Sequence, residues 1–292
     1  MGDLFCCGGG GKIVALATEH AAVLDTLNAL RHSHDVTLLP VKPNGLVDLD
    51  IARAAITTGT ALVIAMLVNN EVGVIQPVDA LADMADAAGA HFLCDAVQGY
   101  GRVPLPKSAD YIAISAHKIH GPIGVGALWA REGSPVTPLL HGGGQESGVR
   151  SGTLSPMLCA GFGAAAKLMV ERSDDDAVLV TALAAQLRAA LGPEWVVNGS
   201  ITHRYPGNLN VRREGLDAAR LISDVRNVVL SAGSACASGS GRPSHVLRAM
   251  ALSESQSRSS IRLGFGRYTT PDEIDRAAAC LNAAAAAQGT LP

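Results

Sequence analysis

"ALVIAMLVNNEVGVIQPVDALADMADAAGAHFLCDAV", residues 61–97, is the stretch that sets the fold class. It opens with an uncharged apolar run (61–68), passes a turn, and enters a stretch with apolar residues three and four apart. A second apolar run follows and stops at Asp95. Continuous apolarity suits a strand covered on both faces, the setting of parallel sheets. The whole stretch therefore reads as strand, helix, strand. In such sheets polar chemistry gathers at the carboxyl ends of strands, where Asn69, Asn70 and Asp95 fall.

The same rhythm extends to both sides. "KIVALA" (12–17) reads as a strand, "EHAAVLDTLNALRHS" (19–33) as a helix and "DVTLLPV" (35–41) as a strand, followed by a short helix from Asp48. "YIAISA" (111–116) and "GALWA" (126–130) supply further strands. Together they predict an α/β fold with a parallel or mixed sheet. From Pro156 to about Leu191 the chain reads as helical, with a polar break at "ERSDDDA" (171–177). Beyond Trp195, short strands ("WVVNG", "NLNVRR", "NVVLSAG", "SSIRLGF") alternate with helices at 216–226, 244–251 and 271–286. A large domain over 12–170 and a smaller α+β domain over 171–292 are expected. The Ala-rich run 283–287 is expected to be a fraying helix end.

The composition narrows the function classes. Of 292 residues, 48% are hydrophobic and only 17% charged, so a sizeable core is expected. A net charge of −3 with scattered basic residues leaves no electrostatic footprint for nucleic acid or an anionic membrane. No stretch reaches transmembrane length without a charge or a Gly/Pro break. The start, "MGDLFCCGGGGK", lacks the basic and apolar regions of a signal peptide and fails as a phosphate loop; it reads as an unstructured lead-in. The six cysteines show no CxxC pair and no metal-ligand spacing, so no metal is expected. Reduced thiols in the cytoplasm are the expectation.

Against this charge-poor background, Asp95, Gln98, Ser115, His117 and Lys118 gather within "DAVQGYGRVPLPKSADYIAISAHKIHGP" (95–122). A lysine forms a Schiff base readily when burial or neighbouring cations weaken its hold on a proton. Lys118 follows an apolar strand, stands between His117 and His120, and precedes Gly121-Pro122. Ser115 and His117 could donate hydrogen bonds to a phosphate. Asp95 could pair with a protonated pyridine nitrogen and keep the ring an electron sink, and Gln98 could reach its phenolic oxygen. Each group alone has a plainer reading, as surface turn or strand-end cap. In this order they describe a pyridoxal phosphate site.

The chain also resembles the NifS-like cysteine desulfurases of the class-V aminotransferase family. The likeness is carried by "TEHAAVLDT", "LVNNEVGVIQPV", "CDAVQGYG", "SAHKIHGPIGVGALW", "HGGGQESGVRSGT", "SAGSACASGS" and "SSIRLGFGRYTT". The resemblance implies pyridoxal phosphate fold type I, with a mostly parallel seven-stranded sheet in the large domain. It implies that Lys118 holds the cofactor and removes the Cα proton, and that His20 stacks on the ring and assists proton transfer. Asn70 and Gln98 would contact substrate and ring oxygen, and Arg262 would clamp the substrate carboxylate. Thr153 would reach the phosphate of a neighbouring subunit, so a homodimer is implied.

Cys236 stands in "SAGSACASGSGRPS" (231–244), a run of small residues between a strand and a helix. The resemblance makes it the sulfur carrier, converting L-cysteine to L-alanine and passing persulfide sulfur to an iron-sulfur scaffold or another acceptor. Two other readings stay open: a selenocysteine lyase or aminotransferase of the same fold, and a non-catalytic truncated homologue. The last arises because the family's N-terminal block, with its phosphate-binding turn, has no counterpart in this sequence. A chain lacking that block is expected to bind the cofactor weakly.

Overall fold

The structure, a computed structural model, describes residues 11–232 and 244–289. The expected lead-in before Gly11 and the expected sulfur carrier Cys236 lie outside the described residues. The chain divides into two compact units. The first comprises the chain through Pro40, Val47–Val68 and Gln76–Arg172; the second comprises Val41–Leu46, Asn69–Ile75 and the chain from Ser173. Two short excursions from the first half thus join the second unit, where the sequence reading places a single crossing near residue 170.

The first unit is built on six strands: β1 (Lys12–Leu16), β2 (Val36–Leu39), β3 (Thr60–Met66), β4 (His91–Asp95), β5 (Tyr111–Ser115) and β6 (Gly126–Ala130). Their order is β2-β1-β3-β4-β5-β6, parallel throughout except for β6, which runs antiparallel to β5. The apolar run of β3 lies at the centre, with every residue buried except half-buried Ala61. Burying a Leu or Ile side chain contributes about 1.5–3 kcal/mol, so this strand anchors the sheet. Helix α1 (Ala21–Leu30) presses Val23 and Leu27, one turn apart, onto Ile13, Leu62, Ile64, Leu93 and Tyr111. Asp48 caps α2 (Leu49–Ala55) by accepting from Asp50 N and Ile51 N, and α3 (Val78–Ala87) buries Val78, Leu81, Ala82 and Ala85.

Of the seven strands that the resemblance implies for a sheet that could be incomplete, six are present among the described residues. The outer edge of β6 faces no further strand there, and its residues are mostly exposed, including Leu128 and Trp129. Helix α4 (Pro156–Glu171) completes the unit. Its start is fixed by Ser155, which accepts from Leu158 N, and by a proline at the first turn, where the missing N–H costs nothing.

The second unit holds a three-stranded antiparallel sheet, β7 (Val196–Val197), β8 (Asn208–Arg212) and β9 (Ser260–Gly264). Its long helices are α5 (Ser173–Leu191) and α9 (Pro271–Gly289), with the shorter α6 (Ala218–Asp224), α7 (His245–Ala249) and α8 (Glu254–Arg258) between them in sequence. Leu183, Leu187 and Leu191 share one core with Ile274, Ala278, Leu281 and Ala285. Two expectations are corrected here. The Ala-rich run is no frayed end: α9 continues to Gly289, and Ala285 is buried, because alanines let two helices approach closely. The helical region breaks within 171–177 as expected, at Arg172 between α4 and α5, and the acidic run 174–176 forms the first turn of α5, where negative charge favours the helix dipole. Asp176 in addition holds Arg267 in a two-pronged ion pair. "NVVLSAG" forms no strand; Val228, Leu230 and Ala232 pack on the core while Val229 faces outward, yet only Ser231 bridges to Arg262.

The excursions are held by a small apolar cluster, Val41, Val72 and Val74 with Val246, Leu247 and Met250. Gly73 lies in the tight turn after Asn69 with φ +72°, and a Cβ there would come within 2.6 Å of the Asn208 carbonyl. Replacing it by alanine adds a backbone clash to a strain of about 1–3 kcal/mol. Gly215, with φ +73° and open space around it, isolates the strain alone. Denaturant unfolding should therefore show Gly73→Ala clearly less stable than Gly215→Ala. Equal losses would mean that the turn yields without cost.

Candidate active site

The parallel register fixes where the polar groups of the first unit meet. Met66 pairs with Asp95 and Asp95 with Ala113, so β3, β4 and β5 end close together at one edge of the sheet. Asp95 is half-buried, and its Oδ1 accepts from Val97 N at 2.9 Å, turning the chain sharply off the strand. The turn continues through Gln98 to Arg102. Arg102 Nη1 donates to both the carbonyl and the side-chain Oε1 of Gln98, and Nη2 donates to the carbonyl of Lys118.

On the adjacent strand, Ser115 closes β5 and the chain enters a 3-10 turn, Ala116–Ile119. Lys118 sits half-buried in this turn. The turn is anchored underneath by Ile119, packed with Ala165 and Met169 of α4. His120 ends it in the left-handed region, φ 65°, and Gly121 N returns to the Ala116 carbonyl at 2.9 Å. Ser115 Oγ and His117 Nδ1 are 2.8 Å apart, a hydroxyl–imidazole pair at the mouth of the turn.

His20 is the N-cap of α1; its Nδ1 accepts from Ala22 N at 3.1 Å. The plain helix-opening reading of this residue is thus real, and it fixes the tautomer, because an accepting Nδ1 leaves the proton of a neutral ring on Nε2. Burial pushes the Asp95 carboxyl up from the ordinary carboxylate range, opposed by the Val97 N–H and the nearby His20. Glu19 beside it was not picked out from the sequence. It is fully buried, its Oε1 accepts from Met66 N at 2.7 Å, and burial and then Asp95 push its pKa well up.

In the second unit, Asn69 Oδ1 accepts from Glu71 N and Val72 N, both at 2.9 Å, which shapes the turn carrying Asn70. Arg262 Nη1 and Asn208 Nδ2 donate to the Asn70 carbonyl at 2.9 and 3.0 Å. Asn210 Nδ2 donates to the Glu71 carbonyl and is itself held by Asn198, which also reaches Ser260 Oγ. The expectation for Asn70 concerned its side chain; what the structure ties down is its backbone. The one available signal for Asn208 and Asn210 is their alternation on one face of "NLNVR". Thr153 is exposed in the loop before α4, and among the described residues no hydrogen bond joins it to Ser115, His117 or Lys118.

Among the described residues no three His, Cys, Asp or Glu side chains form a metal-binding group, and no helix is long and apolar enough to cross a membrane.

The Glu19 carboxyl yields a pH prediction. Its folded pKa lies above the usual value near 4.5, so the proton is held more tightly in the folded chain. The associated stability is present below that value and is lost as pH rises through the folded pKa. Glu19→Gln is neutral throughout and keeps an acceptor for Met66 N. Its melting temperature should exceed that of the original chain by an amount that grows as pH rises above about 4.5. A pH-independent difference would show that Glu19 carries no buried charge.

The profile of the family described as Aminotransferase class-V matches residues 5–277. The chain is 42% identical over 274 residues to a Rickettsia bellii (strain OSU 85-389) protein named Cysteine desulfurase IscS, covering 91% of this chain and 67% of that one. It thus spans about two thirds of that relative's length. Among solved structures, a NifS-like protein matches with a TM-score of 0.86 at 30% identity, over 97% of this chain and 76% of the other. A structure of SspA in complex with cysteine matches with a TM-score of 0.79 at 31% identity, over 89% and 75% of the two chains. The α/β fold with its mostly parallel sheet, the profile match over nearly the whole length and the level of identity agree: the chain belongs to the class-V aminotransferase family.

Proposed function

We propose that this chain is a cysteine desulfurase that works with pyridoxal phosphate. The observation that carries the reading is Asp95 at the end of β4 and Lys118 in the turn just beyond the adjacent parallel strand β5, with Ser115 and His117 paired in that same turn region. The donor set suits that cofactor: a half-buried carboxyl for the ring nitrogen, an amine for the aldehyde, and hydroxyl and imidazole donors for the phosphate. The named relative and the cysteine-bound neighbour support cysteine as substrate.

When bound, pyridoxal phosphate supplies an electron sink for the pair released as a substrate Cα–H bond breaks. Every other part falls to the chain. Lys118 Nζ holds the cofactor and takes the Cα proton. Asp95, ionised next to a cationic ring nitrogen, keeps that nitrogen protonated; the ring charge offsets the burial that raises its pKa. His20, with its Nε2 proton, would lie against the ring and assist proton transfer. Gln98 faces the phenolic oxygen, and Ser115 and His117 hold the phosphate together with Thr153 of a second copy of the chain. Arg262 binds the substrate carboxylate, where its planar fork can form two parallel hydrogen bonds.

Cys236, which lies outside the described residues, is the proposed sulfur carrier. As a thiolate it attacks the sulfur of bound cysteine. The Cβ–S bond breaks, an S–S bond forms, and Cβ gains the hydrogen that completes alanine. The two sulfurs are oxidised by the two electrons that carbon accepts, so no outside redox partner is needed. The resulting persulfide suits transfer to an iron-sulfur scaffold or another sulfur acceptor. A cytoplasmic homodimer is the proposed working form, and the free thiols Cys94, Cys159 and Cys280 agree with a reducing compartment.

Borohydride reduction of the cofactor-loaded chain, followed by peptide mapping, should place the pyridoxyl group on Lys118. An adduct on Lys107 or Lys167 would remove the basis of the assignment. Cys236→Ser should keep the cofactor's absorbance and its response to cysteine while persulfide formation and alanine release fall by at least about a hundredfold, about 2.7 kcal/mol of barrier. Sulfide release at the original rate from this variant would overturn the desulfurase reading in favour of an ordinary lyase.

A further inference from the structure

Arg102 is half-buried and serves two segments of the candidate site at once. Its Nη1 donates to the Gln98 carbonyl at 3.0 Å and to Gln98 Oε1 at 3.1 Å, while its Nη2 donates to the Lys118 carbonyl at 2.6 Å. Arg102 thus ties the turn after β4 to the turn after β5. A surface arginine serving only solubility would point its guanidinium at water. This one spends donors on two backbone carbonyls and one amide.

We propose that Arg102 is a positioning residue that fixes which end of the Gln98 amide faces the cofactor, and that it locks the Lys118 turn to the Gln98 turn. The proposal rests on the reading of Gln98 and Lys118 as cofactor residues. A glutamine amide offers an acceptor at one end and two donors at the other, and its partners decide the orientation. A guanidinium can only donate. Its partner on Gln98 must therefore be the carbonyl oxygen, and the NH2 group is turned the other way. Gln98 then meets the phenolic oxygen of the ring as a donor. The reverse orientation would set two oxygens against each other.

The spectrum of bound pyridoxal phosphate reads this directly. A donor on the phenolic oxygen stabilises its negative charge, so the proton shared between that oxygen and Lys118 Nζ is lost at lower pH. Removing the donor should raise the pH midpoint of the absorbance change. Arg102→Met is expected to raise it by about one unit, comparable to one hydrogen bond to a charged group. Gln98→Ala should do the same. The double variant should be shifted no further than the larger single one, because Arg102 acts through Gln98. Undiminished additivity would show that Arg102 acts by its charge alone and would overturn the proposal.

Where Arg102→Met does not fold, Gln98→Glu gives an independent answer. Its carboxylate keeps Arg102 engaged but offers the ring only an acceptor, so the midpoint should rise by at least as much. An unchanged or lowered midpoint would overturn the donor orientation. The original chain distinguishes the two levels of the argument. If it shows no cofactor absorbance at saturating pyridoxal phosphate, the proposed function fails and this inference falls with it. If it titrates normally and the variants do not shift, only the role of Arg102 fails.

Discussion

The site in the first unit depends on one constraint, the register of three parallel strands. Met66, Asp95 and Ala113 stand side by side across β3, β4 and β5. A slip of one residue in β4 would move Asp95 to the opposite face of the sheet, because successive side chains alternate. What prevents the slip is the apolar pattern itself. Phe92, Leu93 and Cys94 are buried on both faces, and the central β3 leaves no exposed side on which a misplaced acid could sit. The chemistry is thus aligned by groups that take no part in it.

That alignment has a cost in electrostatics. Glu19 and Asp95 are two carboxyls in a poorly solvated region; burial raises the proton affinity of both, and Asp95 adds to it at Glu19. Two buried negative charges close together are unstable, and the backbone donor Met66 N relieves part of the cost at Glu19. Sequences purified for stability alone would place an apolar residue at such positions. A cationic ring nitrogen would reverse the sign of the Asp95 contribution, turning a destabilising acid into a binding group. Carboxyls with raised pKa values gather where β3 and β4 end, and such clusters are common at functional sites.

The sequence made the α/β layout legible because β3 and β4 are apolar on both faces and α1 and α3 carry their apolar residues at helical spacing. It also brought out Asp95, Ser115, His117 and Lys118, since acids and bases directly after apolar runs mark strand ends. It misread positions where local and tertiary signals conflict. The Ala-rich run of α9 has little side chain to advertise burial, yet it packs against α5 because small residues permit close approach. "ESQSR" of α8 has no apolar periodicity at all; only the Ser253–Gln256 capping box betrays it. The apolar "NVVL" looks like a strand, but it alternates inward and outward without a ladder partner beyond Ser231. Glu19 and Arg102 were invisible for another reason: their partners, Met66, Gln98 and Lys118, are brought to them by the fold or reached through backbone atoms that carry no sequence signature.

In the second unit the question is how an arginine in a strand keeps its charge available to an anion. Arg262 is steadied by the carbonyl of Asn70, a neutral acceptor that orients the guanidinium without cancelling its charge. One acid that feels Arg262 is Glu71, the residue after Asn70. Burial is the largest influence on that carboxyl and pushes its pKa up, against the pull of Ser244, His245 and Arg262. Holding Glu71 toward its neutral form limits the negative charge beside Arg262. Asn208 and Asn210 extend the same logic, since they fix the Asn70 and Glu71 carbonyls with amides rather than with cations or acids. A buried network of neutral amides and backbone carbonyls thus surrounds Arg262, a setting that strengthens any charge-assisted contact the guanidinium makes.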